Sequence, residues 1–291
     1  MELLSVAITG LALGSVYALI ALAINVVFAA RRVVNFGQGD LVMFAGLLSV
    51  SLIVTWHWPY FLGLAGAVIL IALLAVVIER VAIRPLPREE SSIAWILSIV
   101  AVAIITSNAG QLIFGAETRP FPSLFEDAHI EFGSIRLDPN QLTAIGATAI
   151  FLLLFHYALN RTLHGKALKA AARDPDMAMM LGIQVSRYIA AAFAIAGLMA
   201  TLASFLIGPL TFVNANFGFS LGIKGFAAAA LGGLGTLEGA VIGGLVLGLA
   251  ETVSSTYLSS DFKDLITLSI LYFILIFRPT GLVGEAQVIK V

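Results

Sequence analysis

Glu251, in "LGLAETVS", is the most conspicuous carboxylate inside an apolar stretch of this 291-residue chain. An ionised carboxylate in hydrocarbon is costly enough that it must face other helices, water or a partner. Asn25, Asn108 and Gln111 pose the same question more mildly. Two chemistries fit such side chains: hydrogen bonding between helices, or the wall of a path along which a few polar groups handle a passing zwitterion. For the path, the candidates are Asn25, Asn108 and Glu251. Lys224 reads as a cation at the outer end of its span, free to snorkel. Other chemistries lack their residues. There is no cysteine, and His57, His129, His156 and His164 are too scattered to form a metal cluster. No stretch reads G-x-x-x-x-G-K-[ST], so this chain cannot cradle ATP phosphates. No nucleophile or acid/base cluster marks an enzyme.

A second set of residues lies in "HGKALKAAARDPDMAMMLG", a polar, helix-prone island between apolar runs. Gly165 allows a turn, and Lys166 to Arg173 is Ala-rich. Asp174-Pro175 supplies an N-cap followed by proline at the first helical position. A short helix through Met177, Ala178, Met180 and Leu181 should then stop at Gly182 in the left-handed conformation. Small residues and flexible methionines make a surface on which another protein packs closely. The competing reading is an amphipathic helix lying on lipid headgroups, but the Met-rich half carries Asp174 and Asp176, which anionic lipid disfavours.

The elements around these residues follow from composition. A chain that is 60% hydrophobic and 11% charged, with mean hydropathy +1.02, uses the bilayer as its solvent. The expected fold is an all-α, polytopic membrane helix bundle forming a single domain. Apolar runs recur at roughly 3–30, 39–56, 59–79, 92–114, 140–159, 187–209, 218–236, 238–257 and 263–277, giving eight or nine spans. The first carries Glu2 ahead and Arg31-Arg32 behind, so it reads as a retained helix rather than a signal peptide, long enough to tilt or break near Gly10 or Gly14. The doubtful pair lies near 218–257, where one run could be re-entrant. Within it Gly235, Gly239 and Gly243 form one four-residue row and Gly244 and Gly248 another. Such rows let helices approach closely, or slide.

Basic residues orient the bundle. Of 16 Lys and Arg, twelve fall on one side if nine spans start outside: Arg31, Arg32, Arg80, Arg84, Arg88, Arg161, Lys166, Lys169, Arg173, Arg187, Arg278 and Lys290. That predicts N-out, C-in, with the island cytoplasmic. The outer segment 115–139 contains "HIEFGSIRL", whose alternation predicts a small hairpin turning at Gly133-Ser134. It is either a connecting loop or a docking surface for an extracytoplasmic partner.

At the island the chain resembles the permease subunits of ABC importers of the branched-chain amino-acid type, through "GKALKAAARDPDMAMMLGIQV" (Gly165 to Val185). The resemblance extends to "GLALGSVYALIALAINVVFA", "VNFGQGDLVMFAG", "KGFAAAALGGLGTLEGAVIGGLVLGLAE" and "LIFRPTGLVGE". Gly37 stands where that family often has Ala, and Ala23 where Gly is common, which bears on local packing. The resemblance implies that segment 160–186 is a cytoplasmic coupling loop fitting a cleft on an ATPase subunit. Its coupling residues would be Gly165, Ala167, Arg173, Asp174, Pro175, Met177, Ala178, Met180, Leu181 and Gly182. It implies a bacterial inner-membrane protein that binds no cofactor itself, with ATP and Mg on two partner ATPases. A second permease and an extracytoplasmic solute-binding protein complete the assembly, with no role for nucleic acid. Leucine, isoleucine and valine are the implied cargo, with urea or short amides as the alternative. A secondary transporter or channel driven by an ion gradient would instead show paired ionisable residues or an inverted repeat, and neither is visible.

Overall fold

A computed structural model describes residues 2–86, 93–125, 130–132, 135–258, 262–278 and 280–284. Arg88 and Lys290 of the charge argument, and the Gly133-Ser134 turn, lie outside the described residues. The apolar runs become α1 (Glu2–Arg31), α2 (Gln38–Val50), α3 (Tyr60–Ile78), α4 (Ile93–Phe114), α5 (Pro139–Arg161), α8 (Val185–Ile207), α9 (Phe217–Gly232), α10 (Leu237–Tyr257) and α11 (Lys263–Phe277). The island becomes α6 (Leu163–Arg173) and α7 (Pro175–Met180). A π-helical turn extends α2 through Thr55 and another extends α3 through Ile83. Outside the bundle, β1 (Ile130–Phe132) and β2 (Ile135–Leu137) pair antiparallel, Ile130 opposite Leu137, in the register expected of a two-residue turn.

Nine runs were expected to give eight or nine crossings. Among the described residues, seven helices are long and apolar enough to cross a bilayer. The 16 residues of α9 and 15 of α11 rise only about 24 Å and 22 Å, short of a 30 Å hydrocarbon core.

α1 is the axis of the bundle. It is unbroken: Gly10 and Gly14, near which a tilt or a break was expected, lie against the backbone of α10 at Leu249 and Leu245. α8, α9 and α10 pack around α1, whose residues from Val16 to Val27 are buried almost throughout. α2 starts inside the bundle, since Gln38 is fully buried and donates to the carbonyl of Ala196 in the middle of α8 (3.0 Å). A Cβ at Gly39 would meet the backbone of Gly222 in α9 at 2.5 Å, so these helices touch backbone to backbone. α3, α4, α5 and α11 turn large apolar side chains such as Ile69, Ile105, Leu153 and Phe277 outward. In lipid that outward face requires no polar cover.

α10 is gripped on two faces. Gly239 and Gly243 lie against Gly232 and Ala228 of α9, and Gly244 and Gly248 against Ala18 and Gly14 of α1. Gly235 does not belong to these rows: it sits in the turn between α9 and α10 at φ +82°, a left-handed position that favours glycine. The segment after α11 closes this corner, with Leu282 N–H donating to Leu231 O (2.8 Å) and Val283 N–H to Gly232 O (3.0 Å). Two carbonyls at the end of α9, which helix geometry leaves without partners, are satisfied in this way.

Candidate functional site

The island folds as two capped helices set against α5 and α8. Thr162 begins α6, its hydroxyl accepting from Gly165 N–H (3.0 Å). Gly165 therefore lies inside α6 rather than at a turn, and a Cβ there would strike Leu159 Cα of α5 at 2.5 Å. Its role is the close approach of α5 and α6. Asp174 then caps α7, accepting from Asp176 N–H (3.1 Å) and Met177 N–H (3.0 Å), with Pro175 at the first position. At the far end Gly182 takes φ +78° and donates to Met179 O (2.9 Å), while Ile183 N–H reaches Ala178 O (3.0 Å). These two bonds form a Schellman termination.

α7 thus shows one face outward. Met177, Met180 and Leu181 are 60%, 83% and 79% exposed. Ala178, expected on that face, is only 2% exposed, because its side chain packs into the main hydrophobic cluster. Met179, 45% exposed, joins the open face instead. Ala167 is half-buried, and Arg173 and Asp174 are exposed.

The intramembrane carboxylate has partners that sequence reading missed. Glu251 Oε1 receives Lys224 Nζ from α9 at 2.6 Å, and Glu251 Oε2 accepts from Tyr17 Oη of α1 at 2.8 Å. Lys224 also reaches Asp264 of α11 at 3.0 Å, and its ammonium lies 5.9 Å from the centre of the Tyr17 ring. Lys224 is 7% exposed, so it does not snorkel; its charge is met in place by two carboxylates. The cluster ties four helices together. Its signal in the sequence was one cation and one anion in successive apolar helices, but 27 residues separate them and only the fold shows that they meet. A second pair was also missed: Glu79, fully buried at the end of α3, lies 3.6 Å from Arg31, whose guanidinium stacks over Trp95 at 5.5 Å.

Asn25 and Asn108 have different surroundings. Asn108 is exposed on α4 and donates to its own helix at Ile104 O (2.7 Å). Asn25 is buried in α1, where its Nδ2 donates to Gly233 O (3.2 Å) and Thr236 O (2.6 Å) at the α9–α10 corner. A cavity of about 340 Å³ opens beside it, between α1, α5, α6 and the start of α10. The three residues weighed for a solute path are thus not brought together within this chain. Gln38, buried with its amide bonded across to α8, is the polar side chain at mid-bundle that "VNFGQGD" contained and sequence reading left unassigned. Among the described residues no group of three or more His, Asp or Glu side chains is placed to hold a metal ion.

The architecture recurs in solved proteins. A chain of PsaBC from Streptococcus pneumoniae in complex with Fab matches with a TM-score of 0.55, covering 94% of this chain and 91% of that one. At 17% identity this shows the fold alone. Sequence comparison goes further. The high-affinity branched-chain amino acid transport system permease protein LivH of Escherichia coli (strain K12) is 35% identical, covering 97% of this chain and 96% of its own length. BraD of Pseudomonas aeruginosa, of the same description, is 31% identical over 98% of this chain and 96% of its own. The family profile described as branched-chain amino acid transport system / permease component matches residues 6–275. With that match running from α1 to the last helix, the chain belongs to the family of permease components of branched-chain amino acid transport systems.

Proposed function

We propose that this chain is one permease of an ATP-driven importer, moving branched-chain amino acids into a bacterial cell across the inner membrane. The partners in this reading are a second permease, two ATPases that carry ATP and Mg, and an extracytoplasmic solute-binding protein. The chain lies N-out, C-in, with α6 and α7 cytoplasmic. The observation that carries the coupling role is the build of α7, fixed at both ends and at Ala178 while Met177, Met180 and Leu181 stand free. A helix so anchored passes a push on its outer face to α6 and α8 rather than deforming. Of the three residues weighed for the path, Asn108 stands on an open face, and we place it against the second permease. Glu251 belongs to the framework, since each of its oxygens already has a donor.

The test is co-purification from native membranes in mild detergent with a tag at the C-terminus. An ATP-binding subunit should accompany the wild type and be lost from Met180→Arg, whose side chain touches little of this chain, while that variant keeps the wild-type elution volume. Retention of the ATPase and of uptake by Met180→Arg would remove α7 from the coupling surface. Ala178→Arg, placed at a buried position, should instead destabilise the α6–α7 unit itself.

A further inference from the structure

The coupling role proposed above uses the Met-rich half of the island and leaves its basic half unused. Lys169 and Arg173 stand one turn apart on α6, both exposed. With Arg32 at the end of α1 they line a recess of about 700 Å³ beside the α9–α10 corner. Among the described residues no ion pair meets any of the three cations. Lys169 Nζ is bonded to a neutral oxygen, Asn160 Oδ1. Glu238 is the one carboxylate among the described lining residues, so three cations share the recess with a single anion. Like charges held this close repel, and an anion added from outside the chain stabilises them. Arg32 also closes the last turn of α1 at φ 57°, a left-handed position that suits glycine better than any L side chain. A cation is kept there against that backbone preference.

Next to the recess, and sharing Ala29, Lys169, Ala172 and Thr236 with it, lies the cavity of about 340 Å³. Its walls are mainly apolar: Val26, Phe155, Leu159, Leu168 and Leu237. Val26 stands six residues before Arg32, and Phe155 six before Arg161. The cavity therefore reaches about 9 Å from the charged ends of α1 and α5 into the apolar part of the bundle. The apolar run of α1 ends at Arg31-Arg32, which sets the recess at the depth of lipid headgroups and the cavity at the depth of acyl chains.

We infer that recess and cavity together bind an anionic glycerophospholipid, its phosphate among Arg32, Lys169 and Arg173 and the first part of an acyl chain along the apolar walls. A soluble phosphate would use the recess alone. An acidic protein segment would leave the apolar walls uncovered, and a zwitterionic lipid brings its own cation to a site that already holds three. The inference goes beyond the importer reading and does not depend on it. A lipid so placed joins α6 to α1 and to the start of α10, and thereby steadies the helix that leads into α7.

The test is native mass spectrometry of the protein, purified with whatever partners accompany it, in detergent containing equimolar phosphatidylglycerol and phosphatidylcholine of matched chains. One phosphatidylglycerol per copy of the chain should be retained, preferred about tenfold or more over phosphatidylcholine. Lys169→Gln and Arg173→Gln should each weaken that retention by about fivefold, the increment one basic side chain contributes at an anionic surface. Arg32→Gly separates a ligand role from a framework role. It relieves the left-handed backbone, so the melting temperature in lipid-free detergent should hold or rise while retention of phosphatidylglycerol falls. Ala172→Phe, at the junction of recess and cavity, should expel the lipid; the three variants at exposed positions keep the test decisive should it fail to fold. Equal retention of the two lipids would overturn the site, as would retention unchanged in both Lys169→Gln and Arg32→Gly. Displacement of the lipid by sn-glycerol 3-phosphate at equal concentration would assign the recess to a soluble anion instead. Absence of bound lipid, with Arg32→Cys crosslinking to a co-purifying subunit, would assign it to a protein.

Discussion

Lys224 and Glu251 show how a charge is kept inside an apolar bundle. Each partner alone would be costly in hydrocarbon, whereas together, with Tyr17 and Asp264, both oxygens of Glu251 and the Lys224 ammonium have partners. Removing one partner should therefore cost more than removing both. Lys224→Met is expected to lower stability by about 3–5 kcal/mol, and Lys224→Met combined with Glu251→Leu to recover most of the loss, read from thermal unfolding in detergent. A double variant as unstable as the single one would show that the cluster contributes through packing instead. Residue identity was legible here only in half. Glu251 announces itself in a run of Gly, Leu and Val, but a lysine near a helix end has an obvious escape to the interface, and nothing local says that α9 turns it inward. The same limit applies to Ala178: its side chain is small enough for either face of α7, and only the packing of α7 onto the main hydrophobic cluster turns it inward.

Among the elements, backbone approach rather than side-chain volume sets the packing. Gly248 lies so close to Gly14 of α1 that a Cβ would overlap its backbone, whereas Gly146 of α5 has nothing within 4 Å. Gly248→Leu should thus separate α1 from α10 and abolish recovery of folded protein. Gly146→Ala should be neutral or gain up to about 1 kcal/mol from helix propensity, both read by fluorescence-detected size exclusion and melting. Equal behaviour of the two would mean that the α1–α10 crossing is not the tight one. Helix positions were legible in the sequence because each apolar run ends at charge, Pro or Gly; all nine runs found helices within a few residues of their expected bounds. What hydropathy could not tell was depth. That α2 starts inside the bundle rests on Gln38 and Gly39 meeting α8 and α9, contacts far apart in the chain.

For the whole molecule, the sidedness proposed above rests on the basic residues in and around α6. The chain has no cysteine, so a single introduced thiol reports without background. Leu163→Cys, at a position 83% exposed on α6, should react with a membrane-impermeant maleimide only after the cells are opened. Phe61→Cys, at a position 71% exposed at the start of α3, should react in intact cells. The opposite pattern would invert the topology and place α7 away from any cytoplasmic ATPase. Among the described residues seven helices reach spanning length, with α9 and α11 shorter, which fits a permease component of the family to which the chain belongs.

The joint between the segment after α11 and the end of α9 bears on how the protein is made. Leu231 and Gly232 are translated some fifty residues before Leu282 and Val283, which supply their N–H partners. During that interval the corner that Asn25 also grips stands open at its carbonyls. A nascent chain stalled just after α11 already contains α1 to α11, yet cannot close the Gly233 corner. A quality-control protease that recognises unpaired backbone at that corner would therefore distinguish unfinished copies from finished ones.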